Sequence, residues 1–141
     1  MDKTLKENLI SNLNQLWGGY IEEFDINLKL HQISLDVHMY GVDDEKIFSL
    51  VFKGVSSYYF TGGMGSARFD KPAWLKSELS EIYFTDYIDK IKQTNLEKKK
   101  RPEYHSYSNF WLEMFTSVLL IEARKVVING ESFDLDYPPE D

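Results

Sequence analysis

The stretch that decides the fold runs from Phe24 to Met39, FDINLKLHQISLDVHM. Phe24, Ile26, Leu28 and Leu30 alternate with Asp25, Asn27 and Lys29, and Ile33, Leu35, Val37 and Met39 then alternate with Ser34, Asp36 and His38. Successive strand residues point to opposite faces, so this period of two on both sides of a short polar break predicts a β-hairpin. Folded about His31-Gln32, it sets Leu30 against Ile33, Leu28 against Leu35, Ile26 against Val37 and Phe24 against Met39. The polar face then carries Lys29 opposite Ser34, Asn27 opposite Asp36, and Asp25 opposite His38. A slip of one residue would send the two apolar sets to opposite faces, so the parity of the pairing is well determined. The turn is the weak point, because His-Gln lacks the Gly or Asn that two-residue loops prefer; a four-residue loop keeps the same parity.

Working outward, Leu5, Leu9, Leu13 and Leu16 form one helical stripe, which predicts an amphipathic helix over residues 3–17, capped by Asp2 and stopped by Gly18-Gly19. After the polar turn GVDDE, IFSLVFKGV (47–55) reads as a third, central strand with Phe48, Leu50 and Phe52 on one face. Residues 56–71 read as loop, PAWLKSEL from Pro72 as a helical turn, and EIYFTDY (81–87) as strand. The polar DKIKQTNLEKKKRP that follows reads as an exposed connection. A second β-rich block spans 108–135, with alternation at Phe110, Leu112 and Met114, strands at 119–123 and 126–128, and the hairpin signal Asn129-Gly130 before a last strand at 132–135. The expected architecture is one α+β domain over residues 1–141, a mainly antiparallel sheet of about six to seven strands packed with an N-terminal helix. Its parts are helix 3–17, β-rich 20–55, a mixed region 56–88, a polar connection 89–105, β-rich 108–135, and an acidic tail 136–141 expected to fray.

The chain has 141 residues, with 16 Lys and Arg against 23 Asp and Glu, for a net charge of −7. At this length roughly two-thirds of the unfolded surface can be buried, so no disulfide or metal staple is needed. The absence of cysteine excludes thiolate zinc sites and thiol catalysis. A hydrophobic share of 43% argues against disorder, and an aromatic share of 15% favours sheet. The acidic balance disfavours nucleic acid and anionic membrane as partners. The first seventeen residues lack the apolar run of a signal peptide, and no window approaches ~18 uninterrupted apolar residues, so the expected location is the cytoplasm with no membrane span.

Several residue patterns suggest chemistry and fall short of it. His38 opposite Asp25 would be a carboxylate-oriented imidazole of the kind that serves a general base, but no Ser or Cys nucleophile is tied to it, and a solvated cross-strand pair is the commoner arrangement. No His-rich metal spacing exists, and Asp43-Asp44-Glu45 lacks the calcium-loop pattern. Thr61-Gly62-Gly63-Met64-Gly65-Ser66 lacks the Gly-Lys-Ser/Thr ending of a phosphate loop. The run Lys98-Lys99-Lys100-Arg101 has no interleaved aromatics and reads as a solvated loop. No catalytic residue, metal or cofactor is therefore expected. The carboxylates are uneven: Glu22, Glu23, Asp25, Asp36, Asp43, Asp44 and Glu45 fall between residues 20 and 46, against only Lys29 and Lys46. Ordinary solubility charge accounts for such an excess, and so does an acidic surface for a basic protein partner.

The leucine-striped helix ending in Trp17-Gly18-Gly19, the hairpin FDINLKLHQISLDVHMYG, the strand IFSLVFKGV and the later FWLEMFTSVLLIEARKVVI together resemble the YxiG-like proteins of Gram-positive bacteria, and more loosely the small immunity proteins of polymorphic toxin systems. The resemblance implies a small cytoplasmic protein, encoded beside a secreted toxin, that protects its producer by binding that toxin. It brings no catalytic motif to any position here. The leading expectation is a non-enzymatic, protein-binding inhibitor whose partner surface includes Asp25, Asp36, His38, Tyr40, Asp43, Asp44 and Glu45. The competing expectations are a small-molecule or carbohydrate-binding domain using exposed aromatics near the glycine loop at 62–65, and a hydrolase built on His38 and Asp25.

Overall fold

The computed structural model describes residues 1–41, 44–62, 78–85, 108–114 and 117–136. The chain opens with helix α1, Lys3–Asn14. Asp2 caps it as expected, its Oδ1 accepting from the backbone N–H of Thr4 at 2.7 Å and of Leu5 at 3.3 Å. The helix ends three residues before the expected 17. Tighter turns, Leu16 N–H to Leu13 O and Gly19 N–H to Leu16 O, carry the chain to Gly18 at φ +85°. Leu9, Leu13 and Leu16 are buried, so the leucine stripe docks the helix.

Ten strands occur among the described residues: β1 Gly19–Asn27, β2 Gln32–Tyr40, β3 Glu45–Lys53, β4 Ser57–Thr61, β5 Glu78–Leu79, β6 Glu81–Phe84, β7 Phe110–Met114, β8 Ser117–Glu122, β9 Lys125–Ile128 and β10 Glu131–Asp134. They form two antiparallel sheets, a larger one in the order β10-β9-β3-β2-β1-β5 and a smaller one in the order β4-β8-β7-β6. The α+β class with antiparallel sheet and N-terminal helix is therefore the observed one, with more and shorter strands than the alternation alone suggested. Residues 57–61 are strand where loop was expected, because Tyr58, Tyr59 and Phe60 pair with Ile121, Leu120 and Leu119 of β8. Glu78-Leu79, the end of the expected helical turn, pairs with Gly19 and Tyr20 of β1. The connection at 89–105, most of the glycine loop and the tail beyond Asp136 lie outside the described residues.

The first hairpin forms with a corrected register. Its turn is the four residues Leu28 to His31, and Asn27 pairs with Gln32, Ile26 with Ile33 and Phe24 with Leu35. A four-residue loop keeps the apolar faces aligned while moving every partner. The left-handed residue the turn needs is His31, at φ +54°. A second irregularity lies between Ile21 and Glu23, where one extra residue makes a β-bulge and Ile21 pairs with Val37 and Tyr20 with His38. The bulge returns Ile21 to the buried side on which Phe24 packs, despite their odd spacing. Gly19 also has a packing role: a Cβ there would meet Val37 Cγ1 at 2.5 Å.

Both sheets contribute to one buried apolar cluster among the described residues, in which Phe52 of β3 meets Phe110 of β7 edge-on with ring centroids 4.8 Å apart. The sheets are joined where chains switch from one to the other. β3 pairs with β9 in the larger sheet and β4 with β8 in the smaller, so two neighbouring strands cross together at Gly54 and at Ala123-Arg124. Gly54 has φ +63°, and a Cβ there would lie 2.9 Å from Arg124 Cβ. The buried Asn109 clamps this corner, its Nδ2 donating to Ala123 O at 2.8 Å and its Oδ1 accepting from Ala123 N–H at 3.0 Å. At the far end of the larger sheet Asn129-Gly130 forms the expected hairpin turn at φ +48° and +83°, and Asn129 also accepts from Ser49 N–H at 2.8 Å.

Asn109→Ala leaves a buried N–H and C=O of Ala123 without partners. It should lower unfolding free energy by about 2–4 kcal/mol in chemical denaturation. Asn12→Ala, which loses an exposed bond to Asn8 O, is the control and should change it by less than ~0.5 kcal/mol.

Candidate functional site

Three adjacent strands, β1 to β3, turn one face to the core and the other outward. Ile33, Leu35, Val37, Leu50 and Phe52 take the core side. The register then assigns Tyr20, Glu23 and Asp25 of β1, Ser34, Asp36, His38 and Tyr40 of β2, and Glu45, Ile47 and Ser49 of β3 to the outer side. Glu22, at the bulge, reaches the same side through its contacts with His38 and Tyr40. Glu22, Glu23, Asp25, Asp36 and Glu45 therefore share a face on which no lysine or arginine stands between them; Lys53 lies at its far end, opposite Gln32. Tyr40 and Ile47 stay 57% and 53% exposed beside these carboxylates.

The tightest part of this face is built around His38. Its Nδ1 lies 2.5 Å from Glu45 Oε1 and 3.6 Å from Glu22 Oε2. Tyr40 donates its hydroxyl to Glu22 Oε1, and the Tyr40 ring lies 5.7 Å from that of Tyr20 and 6.2 Å from the imidazole. Flanked in this way, the His38 side chain is only 12% exposed. The Glu45 hydrogen bond raises the His38 pKa above its ordinary 6.5; burial opposes the rise, and the charges of Glu22, Glu45 and Asp36 add to it. The hydrogen bond to Glu22, followed by burial and the charges of Glu22 and Glu45, pushes the Tyr40 hydroxyl up to about 12.

Asp25 is not the partner of His38. The four-residue turn and the bulge set Asp25 opposite Ser34 and Tyr20 opposite His38. Asp25 lines a shallow hollow of about 170 Å³ with Glu23 and Asp36. The expected site residues thus separate into His38, Tyr40 and Glu45, which meet, and Asp25 and Asp36, which lie further along the same face. Asp44 is exposed in the β2–β3 turn, where its carbonyl accepts from Gly41 N–H at 3.2 Å; Asp43 lies outside the described residues. Glu22 and Tyr20 belong to the cluster and were missed as site residues. The signal for them was the spacing of three between Ile21 and Phe24, which breaks the alternation where the bulge occurs. Glu23 directly faces Asp36 across the strands, a like-charge pairing that disfavours the sheet. Among the described residues no group of three His, Cys, Asp or Glu side chains is arranged to hold a metal ion, and no helix is long and apolar enough to cross a membrane.

Because its pKa is raised on folding, protonated His38 contributes stability that is fully present below pH 6.5 and lost as pH rises through its folded pKa. An NMR titration should give His38 a midpoint above 6.5 that falls in Glu45→Gln. The stability deficit of that variant should be largest below pH 6.5 and shrink above the midpoint.

Comparison with known proteins follows the same span of chain. The family model described as "YxiG-like protein" matches residues 9–133, from the middle of α1 into β10. A curated relative, "Uncharacterized protein YxiG" of Bacillus subtilis (strain 168), is 29% identical in an alignment covering 83% of this chain and 88% of the relative.

Proposed function

This chain belongs to the YxiG-like protein family, and we propose that it is a non-enzymatic protein-binding module that covers a basic surface on a partner, as an immunity protein covers its toxin. The observation that carries this reading is the outer face of β1 to β3, where five carboxylates run together without an interspersed lysine or arginine and flank exposed Tyr40 and Ile47. The like-charge pair Glu23–Asp36 supports it, because a stretch of acid that weakens its own sheet gains from a basic partner. Tyr40 is suited to anchor the contact, being an aromatic ring held by a hydrogen bond to Glu22. Carboxylates around it would steer a basic partner and reject acidic ones. The partner proposed is a toxin encoded beside the chain's gene, bound in the cytoplasm, with neither nucleic acid nor membrane involved.

The test is a binding titration between the purified chain and the C-terminal domain of the toxin encoded next to its gene. Tight binding that weakens with added salt is expected. Tyr40→Ala should cost about 2 kcal/mol, and the double reversal Glu23→Lys with Asp36→Lys should weaken binding by more than about tenfold. Absence of any toxin gene beside this one, or affinity unchanged by both variants, would contradict the reading.

A further inference from the structure

A second concave site lies at the opposite end of the β1–β2 hairpin, well removed along the strands from His38 and Tyr40. Here the hairpin tip faces the corner where the chain leaves β3 for β4, and the two enclose a cleft of about 390 Å³. That volume falls within the ~300–1,000 Å³ typical of small-molecule sites. Its walls are Ile26, Leu28 and Ile33 from the hairpin, with Val55 and the Tyr58 ring from the corner. Its remaining lining side chains among the described residues are amides, hydroxyls and the His31 imidazole, with no lysine, arginine, aspartate or glutamate among them, in a chain whose net charge is −7.

Two features of the hairpin tip point the same way. The turn Leu28-Lys29-Leu30-His31 presents two leucines to water, 69% and 61% exposed, where turns ordinarily carry polar residues, and Leu28 forms part of the cleft wall. His31 closes the turn at φ +54°, a conformation that glycine or asparagine adopts with less strain, and it too lines the cleft. The rim is preassembled: His31 O accepts from Val55 N–H at 2.9 Å, and Asn27 Oδ1 accepts from Leu30 N–H at 3.1 Å. The first bond ties the two sides of the cleft together, and the second fixes the hairpin tip.

We propose that this cleft binds an uncharged, mainly apolar small molecule, seated between Leu28 and Ile33 on one side and Val55 and Tyr58 on the other. A lining without lysine, arginine or carboxylate offers a charged ligand little compensation for lost water, whereas an apolar body removes the exposed face of Leu28 from solvent. The site is independent of the acidic face, and either can fail without the other.

The neutral fluorescent dye N-phenyl-1-naphthylamine is the probe, titrated into the intact chain while methyl resonances of Ile26, Ile33 and Val55 are followed by NMR. The expected result is saturable binding with shifts centred on those methyls. Leu28→Asp, at an exposed position, should weaken it by roughly tenfold with thermal stability unchanged. The sulfonated analogue 1-anilinonaphthalene-8-sulfonate should bind several-fold more weakly than the neutral dye. Failure to saturate, shifts confined to other residues, unchanged affinity in Leu28→Asp, or tighter binding of the anionic analogue would each overturn the proposal.

Discussion

The larger sheet takes its register from the β1–β2 hairpin, and that register is pinned at two irregular places. At one end the Leu28 to His31 turn sets Asn27 against Gln32; near the other, the bulge between Ile21 and Glu23 inserts one residue into β1 only. Without the bulge, the parity that turns Ile26 and Phe24 toward the core would turn Ile21 outward and Glu22 inward. With it, Ile21 is fully buried and Glu22 joins His38 and Tyr40 on the solvent side. One extra residue therefore serves both the core and the acidic face.

The rest of the molecule hangs on the exchange of strands between sheets. β3 and β9 continue as β4 and β8, so the ribbon that centres the larger sheet also edges the smaller one. Such a bend interrupts the ladder, and buried backbone groups at the interruption need other partners. Asn109 supplies them for Ala123, while Gly54 lets the two chains approach at Arg124. A similar switch between β5 and β6 is held by Ser80 N–H donating to Glu113 O at 2.8 Å. Phe52 and Phe110 then meet across the interior, and Trp17 ties the end of the helix region to β6 through a hydrogen bond to Ile82 O.

Regular parts of this fold were legible in the sequence. The leucine stripe, the alternation on both sides of the first turn, the central third strand, and Asn129-Gly130 each carry a local signal that the structure obeys. Deviations from periodicity were not. A bulge looks like a missed beat between Ile21 and Phe24, and the consecutive aromatics Tyr58-Tyr59-Phe60 show no polar alternation, because whether that strand forms depends on β8, some sixty residues away. The same limit applied to the site. His38, Tyr40 and Glu45 were identified from local pattern, but their assembly with Glu22 rather than Asp25 depends on a register shift that alternation alone does not specify.

The proposed partner surface depends on the same irregularity, since the bulge delivers Glu22 to His38 and Tyr40, where Glu45 of β3 joins it. A basic partner would meet a face already arranged by the β1 to β3 register, with its imidazole charged or neutral according to pH. The most direct measurement of that arrangement is the His38 titration midpoint in two single variants, Glu22→Gln and Asp25→Asn, read by NMR. The bulged register requires the midpoint to fall in Glu22→Gln and to stay at the wild-type value in Asp25→Asn. A fall in Asp25→Asn with Glu22→Gln unchanged would contradict the register, and with it the acidic cluster on which the functional reading stands.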